Sequence, residues 1–269
     1  MKIDKKVTAP SLVTAFKREK RKLVVLTCYD YTMARLLNEA GADMLLVGDS
    51  LGMVKLGYPS TLPVTVEDMA YHTRLVARGN SRALLVADMP FMSYQASNED
   101  AVRAAGKLIK AGAEAVKLEG GVAMVPRIRA LRAAQIPVVG HLGMTPQSVN
   151  DFGGYKVQGR RPRDQQRLLK DAKAITAAGV CAIVLECVPS ALGRKISRAI
   201  AVPTIGIGGG KDCDGQVLVI DDLLGLTPPP HPRFVATYAD LRGTIVQAAS
   251  RWADDVRAGT FPDDAHSYS

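Results

Sequence analysis

Hydrophobic residues recur along this chain in two alternating kinds of run. Short aliphatic stretches occupy 22–29, 43–48, 83–88, 115–119, 136–141, 181–186, 203–207 and 216–220. Each is followed by polar or turn-forming residues, the pattern of a strand buried on both faces. Between them, at 31–40, 66–79, 98–111, 122–134, 164–178 and 190–199, apolar positions are spaced for amphipathic helices. Asn98 and Ser190 are the expected caps of two of these helices. Gly41, Gly79, Gly112 and Gly179 stand where helices should end. Strands alternating with helices predict a mostly parallel sheet. Eight such units in 269 residues favour a closed (β/α)8 TIM barrel over an open doubly wound sheet. An extra N-terminal helix is predicted over 11–20 and a C-terminal helix over 235–258, with the last ten residues as a tail. No Pro/Gly/Ser-rich linker divides the chain, so a single catalytic domain over 1–269 is expected. The stretch 143–163, with Gly153, Gly154 and Gly159, is too long for an ordinary connection and reads as a lid or binding loop.

Composition narrows the picture. Hydrophobic residues make up 47% of the chain but aromatics only 5%, so the core must be aliphatic. The net charge of +9 comes from scattered basic residues, the densest group being Arg160, Arg161, Arg163 and Arg167. That group lacks the interleaved aromatics of a nucleic-acid platform and reads as a solvated loop and helix start; no nucleic-acid partner is expected. No apolar run is long enough to span a bilayer, and the opening MKIDKKVTAP has no apolar core of a signal peptide. Cys28, Cys181, Cys187 and Cys213 form no CxxC pair. Free thiols in a reducing cytoplasm are the simplest expectation.

In a barrel the chemistry lies at the carboxyl ends of the strands. Five consecutive strands close on a titratable residue: Asp49, Asp88, Glu119, His141 and Glu186. One strand-ending Asp is usually a turn former or cap. Several carboxylates at one mouth repel unless a cation or shared protons compensate. A hard cation such as Mg²⁺, held by Asp49, Asp88 and Glu119, is the natural partner, and the lack of a His pair argues against zinc. Glu186, further round the ring, is placed to act as general base. Lys117 lies two residues before Glu119 and shares its face. It either binds a substrate carboxylate or forms a structural ion pair with Glu119 or Asp88. His141 either supports a carboxylate, hydrogen-bonds substrate, or is a satisfied core histidine. The glycine run 206–210 can approach a ligand closely but fits neither a Walker A loop nor GxGxxG.

Around these residues the chain resembles the ketopantoate hydroxymethyltransferase family. The resemblance is carried by VGDSLGM (47–53), STLPVT (60–65), ADMPFM (87–92), KLEGG (117–121), GHLGMTPQSVNDFGGYKVQGR (140–160), LECVP (185–189), IGIGGG (205–210) and DGQVLV (214–219). It implies a TIM barrel, a Mg²⁺ cofactor and a homodecamer. The implied reaction takes a one-carbon unit from 5,10-methylenetetrahydrofolate to 3-methyl-2-oxobutanoate through a metal-stabilised enolate. By the same resemblance Asp49 and Ser50 contact the oxo acid, and Asp49 also binds metal. Asp88 binds both metal and substrate, Lys117 binds substrate, Glu119 binds metal, and Glu186 accepts the proton.

Two rivals remain at the level of sequence. Gly48-Asp49-Ser50-Leu51 spells a serine-esterase signature that Asp263 and His266 could complete, but that reading leaves Asp88, Glu119 and Glu186 without a task. Another metal-dependent barrel lyase or aldolase acting on oxo acids is set apart only by the family motifs.

Overall fold

The aliphatic runs form eight strands: β1 Leu23–Thr27, β2 Met44–Val47, β3 Leu84–Asp88, β4 Ala115–Glu119, β5 Val138–Gly143, β6 Ala182–Glu186, β7 Thr204–Ile207 and β8 Gly215–Leu218. In the computed structural model, which describes residues 5–269, each strand pairs in parallel with the next. β8 then pairs with β1, so the sheet closes into a barrel. Closure leaves no open edge, which settles the choice against an open sheet. The first four residues of the stretch read for a leader lie outside the described residues.

Six helices follow strands around the barrel: α1 Tyr31–Ala40, α2 Val66–Gly79, α3 Asn98–Lys110, α4 Val125–Ala133, α5 Pro162–Ala178 and α6 Ser190–Ala199. They turn small residues inward, such as Ala101, Ala104 and Ala105 of α3, so helix and strand approach closely. β2 to β5 are buried along their whole length, as strands covered on both faces must be.

Local signals were legible to within a residue. Gly41 and Gly179 adopt the left-handed conformation that ends α1 and α5. Gly79 does not: it is the last helical residue of α2, and a Cβ there would strike the Tyr31 carbonyl of α1. Its role is close helix approach. Ser97, rather than Asn98, caps α3 by accepting from the Asp100 amide at 3.0 Å. Ser190 is the first helical residue behind Pro189 and makes no side-chain cap.

The predicted N-terminal helix is present in broken form. A turn at Ala9–Ser11 continues as wider π-type turns over Leu12–Arg18, burying Leu12 and Phe16. This segment runs beneath the amino ends of the strands. The Val7 amide donates to Arg82 just before β3, and Lys17 reaches Asp214 just before β8.

The described residues divide into two compact units, the first running to Val219 and the second Ile220–Ser269. The second unit contains α7, Leu241–Ala258. It starts later than predicted, where the Asp240 carboxylate caps it by accepting from the Gly243 amide at 2.9 Å. The end of the chain is not a loose tail. Phe261 sets its ring 6.2 Å from that of Trp252, and a short 3₁₀ turn follows at Asp264–His266.

Candidate active site

β3, β4 and β6 end on Asp88, Glu119 and Glu186, Asp49 follows β2 by two residues, and His141 lies within β5, two residues before its end. Asp88 lies beside Lys117 in the β3–β4 register, and Glu119 beside His141 in the β4–β5 register. The two-residue spacing in β4 puts Lys117 and Glu119 on one face, and both are buried, as are Asp49, Asp88 and His141. Gly48 leaves room for this assembly, since a Cβ there would lie 2.8 Å from Ser50 Oγ and 3.6 Å from Asp88 Oδ2.

The contacts form one network. Asp88 Oδ2 accepts from the Asp49 amide at 3.0 Å, and Asp88 Oδ1 lies 2.9 Å from Lys117 Nζ. Glu119 Oε1 is 3.2 Å from His141 Nδ1, and Glu186 Oε2 is 3.3 Å from His141 Nε2. These ion-pair contacts are not aligned as hydrogen bonds, so Asp88 Oδ1, Glu119 Oε1 and His141 Nε2 are buried without a hydrogen-bond partner. Of the structural and functional readings of Lys117, the ion pair with Asp88 is present, and it leaves two of the ammonium's three donor positions for other groups.

Electrostatics follow from the crowding. Burial, then the charges of Asp88 and Glu119, push the Asp49 carboxyl well above its ordinary value. Burial raises Asp88 as well, although Lys117 opposes it. Burial works against Glu119 too, but His141, Lys117 and the Gln147 amide outweigh it and hold that carboxyl low. Burial and the Lys117 charge oppose the His141 imidazolium, yet Glu119 and Glu186 on its two sides raise it to about 9. With His141 charged, its Nδ1–H faces Glu119, and the Lys117 ammonium, 3.3 Å from the same nitrogen, belongs to Asp88. Four carboxylates thus face two cationic side chains.

Neutral residues that sequence reasoning passed over tie the network together. Gln147, just past β5, donates its side-chain amide to Asp49 Oδ2 at 2.8 Å and to the Met89 carbonyl at 2.9 Å. Its backbone amide donates to Glu119 Oε2 at 3.0 Å. The Tyr94 hydroxyl donates to Gln147 Oε1 at 2.7 Å and accepts from the Glu119 amide at 3.1 Å. The length and glycines of the 143–163 loop and the motif over 140–160 signalled the region, but not the contacts that Gln147 makes. Ser50 Oγ lies 2.9 Å from the Tyr29 hydroxyl. Among the described residues no imidazole hydrogen-bonds Ser50, so that serine has no esterase base beside it.

Asp49, Asp88 and Glu119 meet in one cluster, yet among the described residues no group of three or more His, Cys, Asp or Glu side chains is arranged to enclose an ion. Each of the three has other contacts as well: Asp49 with Gln147, Asp88 with the Asp49 amide and Lys117, and Glu119 with His141 and the Gln147 amide. The oxygen-rich set of Asp49, Asp88 and Glu119 suits Mg²⁺, which is commonly held by one or two carboxylates and keeps positions for water and substrate.

The ketopantoate hydroxymethyltransferase family model matches residues 6–264. The chain belongs to that family. Members similar to it include 3-methyl-2-oxobutanoate hydroxymethyltransferases from Syntrophus aciditrophicus, 53% identical over 98% of this chain and 97% of the relative, and from Moorella thermoacetica, 54% identical over 98% of each. Among solved structures, phosphonopyruvate hydrolase in complex with oxalate and Mg²⁺ resembles this family member with a TM-score of 0.63 at 14% identity, over 97% of this chain and 92% of that one. A 2,3-dimethylmalate lyase resembles it with a TM-score of 0.60 at 17% identity, over 96% and 91%. At such identities these two likenesses concern the fold. No helix among the family member's described residues is long and apolar enough to cross a membrane.

Proposed function

We propose that this chain transfers a hydroxymethyl group from 5,10-methylenetetrahydrofolate to 3-methyl-2-oxobutanoate, giving 2-dehydropantoate, on the route to pantothenate and coenzyme A. The observation that carries the proposal is the excess of four carboxylates over two cations at the mouth, in a chain that the family model matches almost end to end. One divalent cation would neutralise that excess. Asp49, Asp88 and Glu119 would hold Mg²⁺. When bound, the ion supplies Lewis-acid polarisation of the 2-oxo group.

The chain's own residues do the rest. Lys117 offers its remaining donors to the substrate carboxylate, and Ser50, oriented by Tyr29, offers a further contact to the oxo acid. Glu186 removes the proton from C3. His141, 3.3 Å from Glu186 Oε2, sets a positive charge beside the base. It can also hydrogen-bond the oxo acid. C3 then bonds to the donor's methylene carbon, and water cleaves the remaining carbon–nitrogen bond, supplying the hydroxyl oxygen and returning a proton to the departing tetrahydrofolate nitrogen.

Every site residue named here lies in the first unit, and the family match runs through both. This supports reading the chain as one catalytic domain. Four free cysteines accord with the cytoplasm. The homodecamer implied by the family resemblance needs self-association surfaces, and α7, which buries none of its residues and displays Ile245, Val246 and Trp252, offers an apolar one.

Exchange of the oxo acid's C3 hydrogen with solvent tests the proposal. With Mg²⁺ the protein should catalyse exchange without folate. Glu186→Gln should lower the rate by about 10²–10⁴-fold while Mg²⁺ binding, followed by calorimetry, persists. Full exchange in that variant would remove Glu186 as the base. Product formation from a free aldehyde, with no response to folate, would favour an aldolase instead.

A further inference from the structure

The segment after β5 crosses the mouth at two levels. The inner crossing is Gln147, whose amide reaches Asp49 after β2. The outer crossing is Tyr155, whose hydroxyl lies 3.8 Å from the Met53 sulfur in the short helical turn Leu51–Val54. β2 and β5 are separated by β3 and β4 in the ring. The Tyr155–Met53 contact therefore spans the opening above Asp88, Lys117 and Glu119, which those two strands supply.

Burial does not explain this arch. Tyr155 remains 55% exposed and Met53 41%, and a hydroxyl-to-thioether contact is weak. The phenol nevertheless senses the floor below it. Partial burial and the charges of Asp49, Glu186 and Glu119 push Tyr155 above its ordinary value. The neighbouring rim is apolar as well, with Phe91, Met92 and Val157 exposed. Met92 holds a positive φ of 64°, an uncommon conformation for a side-chain-bearing residue. Single exposed apolar residues need no explanation. Several on the loops around one charged mouth do.

Resting on the reaction proposed above, we infer that Tyr155 and Met53 form the seat for the flat heterocycle of the one-carbon donor, with Tyr155 supplying an aromatic face. The charged floor suits the oxo acid. The donor must bring its one-carbon unit within about 3–3.5 Å of the reacting carbon. Its ring system then occupies the space next above the floor, against the arch. An aromatic face and a polarisable thioether are the side chains that favour such a ring, and neither would be needed by the small oxo acid.

The test uses the full-length protein loaded with Mg²⁺, with Tyr155→Phe, Tyr155→Leu and Tyr155→Ala. Tetrahydrofolate affinity is measured by calorimetry, and KM is measured separately for each substrate. Losing a stacking ring should weaken tetrahydrofolate binding and raise donor KM about tenfold in the Leu and Ala variants. The Phe variant should stay within about twofold of the parent, and KM for the oxo acid should change by less than twofold throughout. Unchanged tetrahydrofolate binding in Tyr155→Leu would overturn the inference while leaving the reaction intact. A parallel rise in both KM values, or an equal loss in Tyr155→Phe, would also overturn it. If the parent protein exchanges C3 hydrogen but does not bind tetrahydrofolate, the donor assignment fails and the inference falls with it.

Discussion

Buried polar side chains gather at both ends of this barrel, under different rules. At the amino end, Lys17 Nζ lies 2.9 Å from Asp214 Oδ2, and the same oxygen accepts from the Thr204 amide at 2.8 Å and hydroxyl at 3.1 Å. Ser197 Oγ lies 2.6 Å from the Thr204 hydroxyl and donates to the Gly193 carbonyl. One positive charge meets one negative charge, and each of these side chains has a partner. At the carboxyl end, carboxylates outnumber cations and three buried polar atoms lack hydrogen-bond partners. A network that satisfies itself stabilises the fold. One left incomplete stores demand for a ligand, because burying unmatched charge is costly. The contrast follows the division of a TIM barrel into a stability face and a catalytic face.

The largest effect should separate the two ends by activity. Asp88→Asn keeps the shape of the side chain but removes the charge facing Lys117 and the proposed metal. Its kcat/KM, measured as 2-dehydropantoate formed with saturating Mg²⁺, should fall by about 10²–10³-fold. Lys17→Met should stay within about twofold by the same assay. Comparable losses in both variants would erase the distinction.

Stability should invert that order. Lys17→Met leaves Asp214 partly buried without its cation and should cost about 2–3 kcal/mol, read from the urea midpoint. Asp88→Asn should cost less, because it removes one carboxylate from a crowded acidic site. An Asp88→Asn loss as large as that of Lys17→Met would mean the mouth is as structurally committed as the base.

The sequence exposes these two ends unequally. Strand-ending acids are legible because barrel topology sends the last residue of every strand to the same mouth, and strand periodicity pairs Lys117 with Glu119. The Lys17–Asp214 bond joins residues 197 positions apart, and no local pattern announces it. Gln147, Tyr94 and Tyr29 were missed for another reason. Their roles depend on the path of loops, and a neutral amide or phenol lacks the charge anomaly that marked Asp49. The engagement of Glu119 by His141 and Gln147 was equally hidden. The cap of α3 was misplaced by one residue because Ser97 and Asn98 are both good caps, and only backbone geometry chooses between them.

The smallest expected effect sharpens the comparison through pH. The Asp49 carboxyl is raised in the folded protein, so its contribution to stability is present below its ordinary value of about 3.9 and is lost as pH rises through the raised one. His141, raised to about 9, contributes fully below about 6.5 and loses that contribution as pH climbs past 9. Both groups therefore weaken the metal-free mouth as solution becomes more basic. Asp49→Asn abolishes one of the two contributions. In protein stripped of divalent ions, the melting temperature of this variant relative to the parent should rise between pH 5.5 and 8.5 by about 2–4 °C, the shift that roughly 1 kcal/mol makes in a chain of this size. Mg²⁺ should close the gap by stabilising the parent and not the variant, since only the ionised carboxylate is a ligand. Curves that move in parallel across that pH range would show that the folded Asp49 carboxyl does not titrate there, and would break the contrast drawn between the two ends.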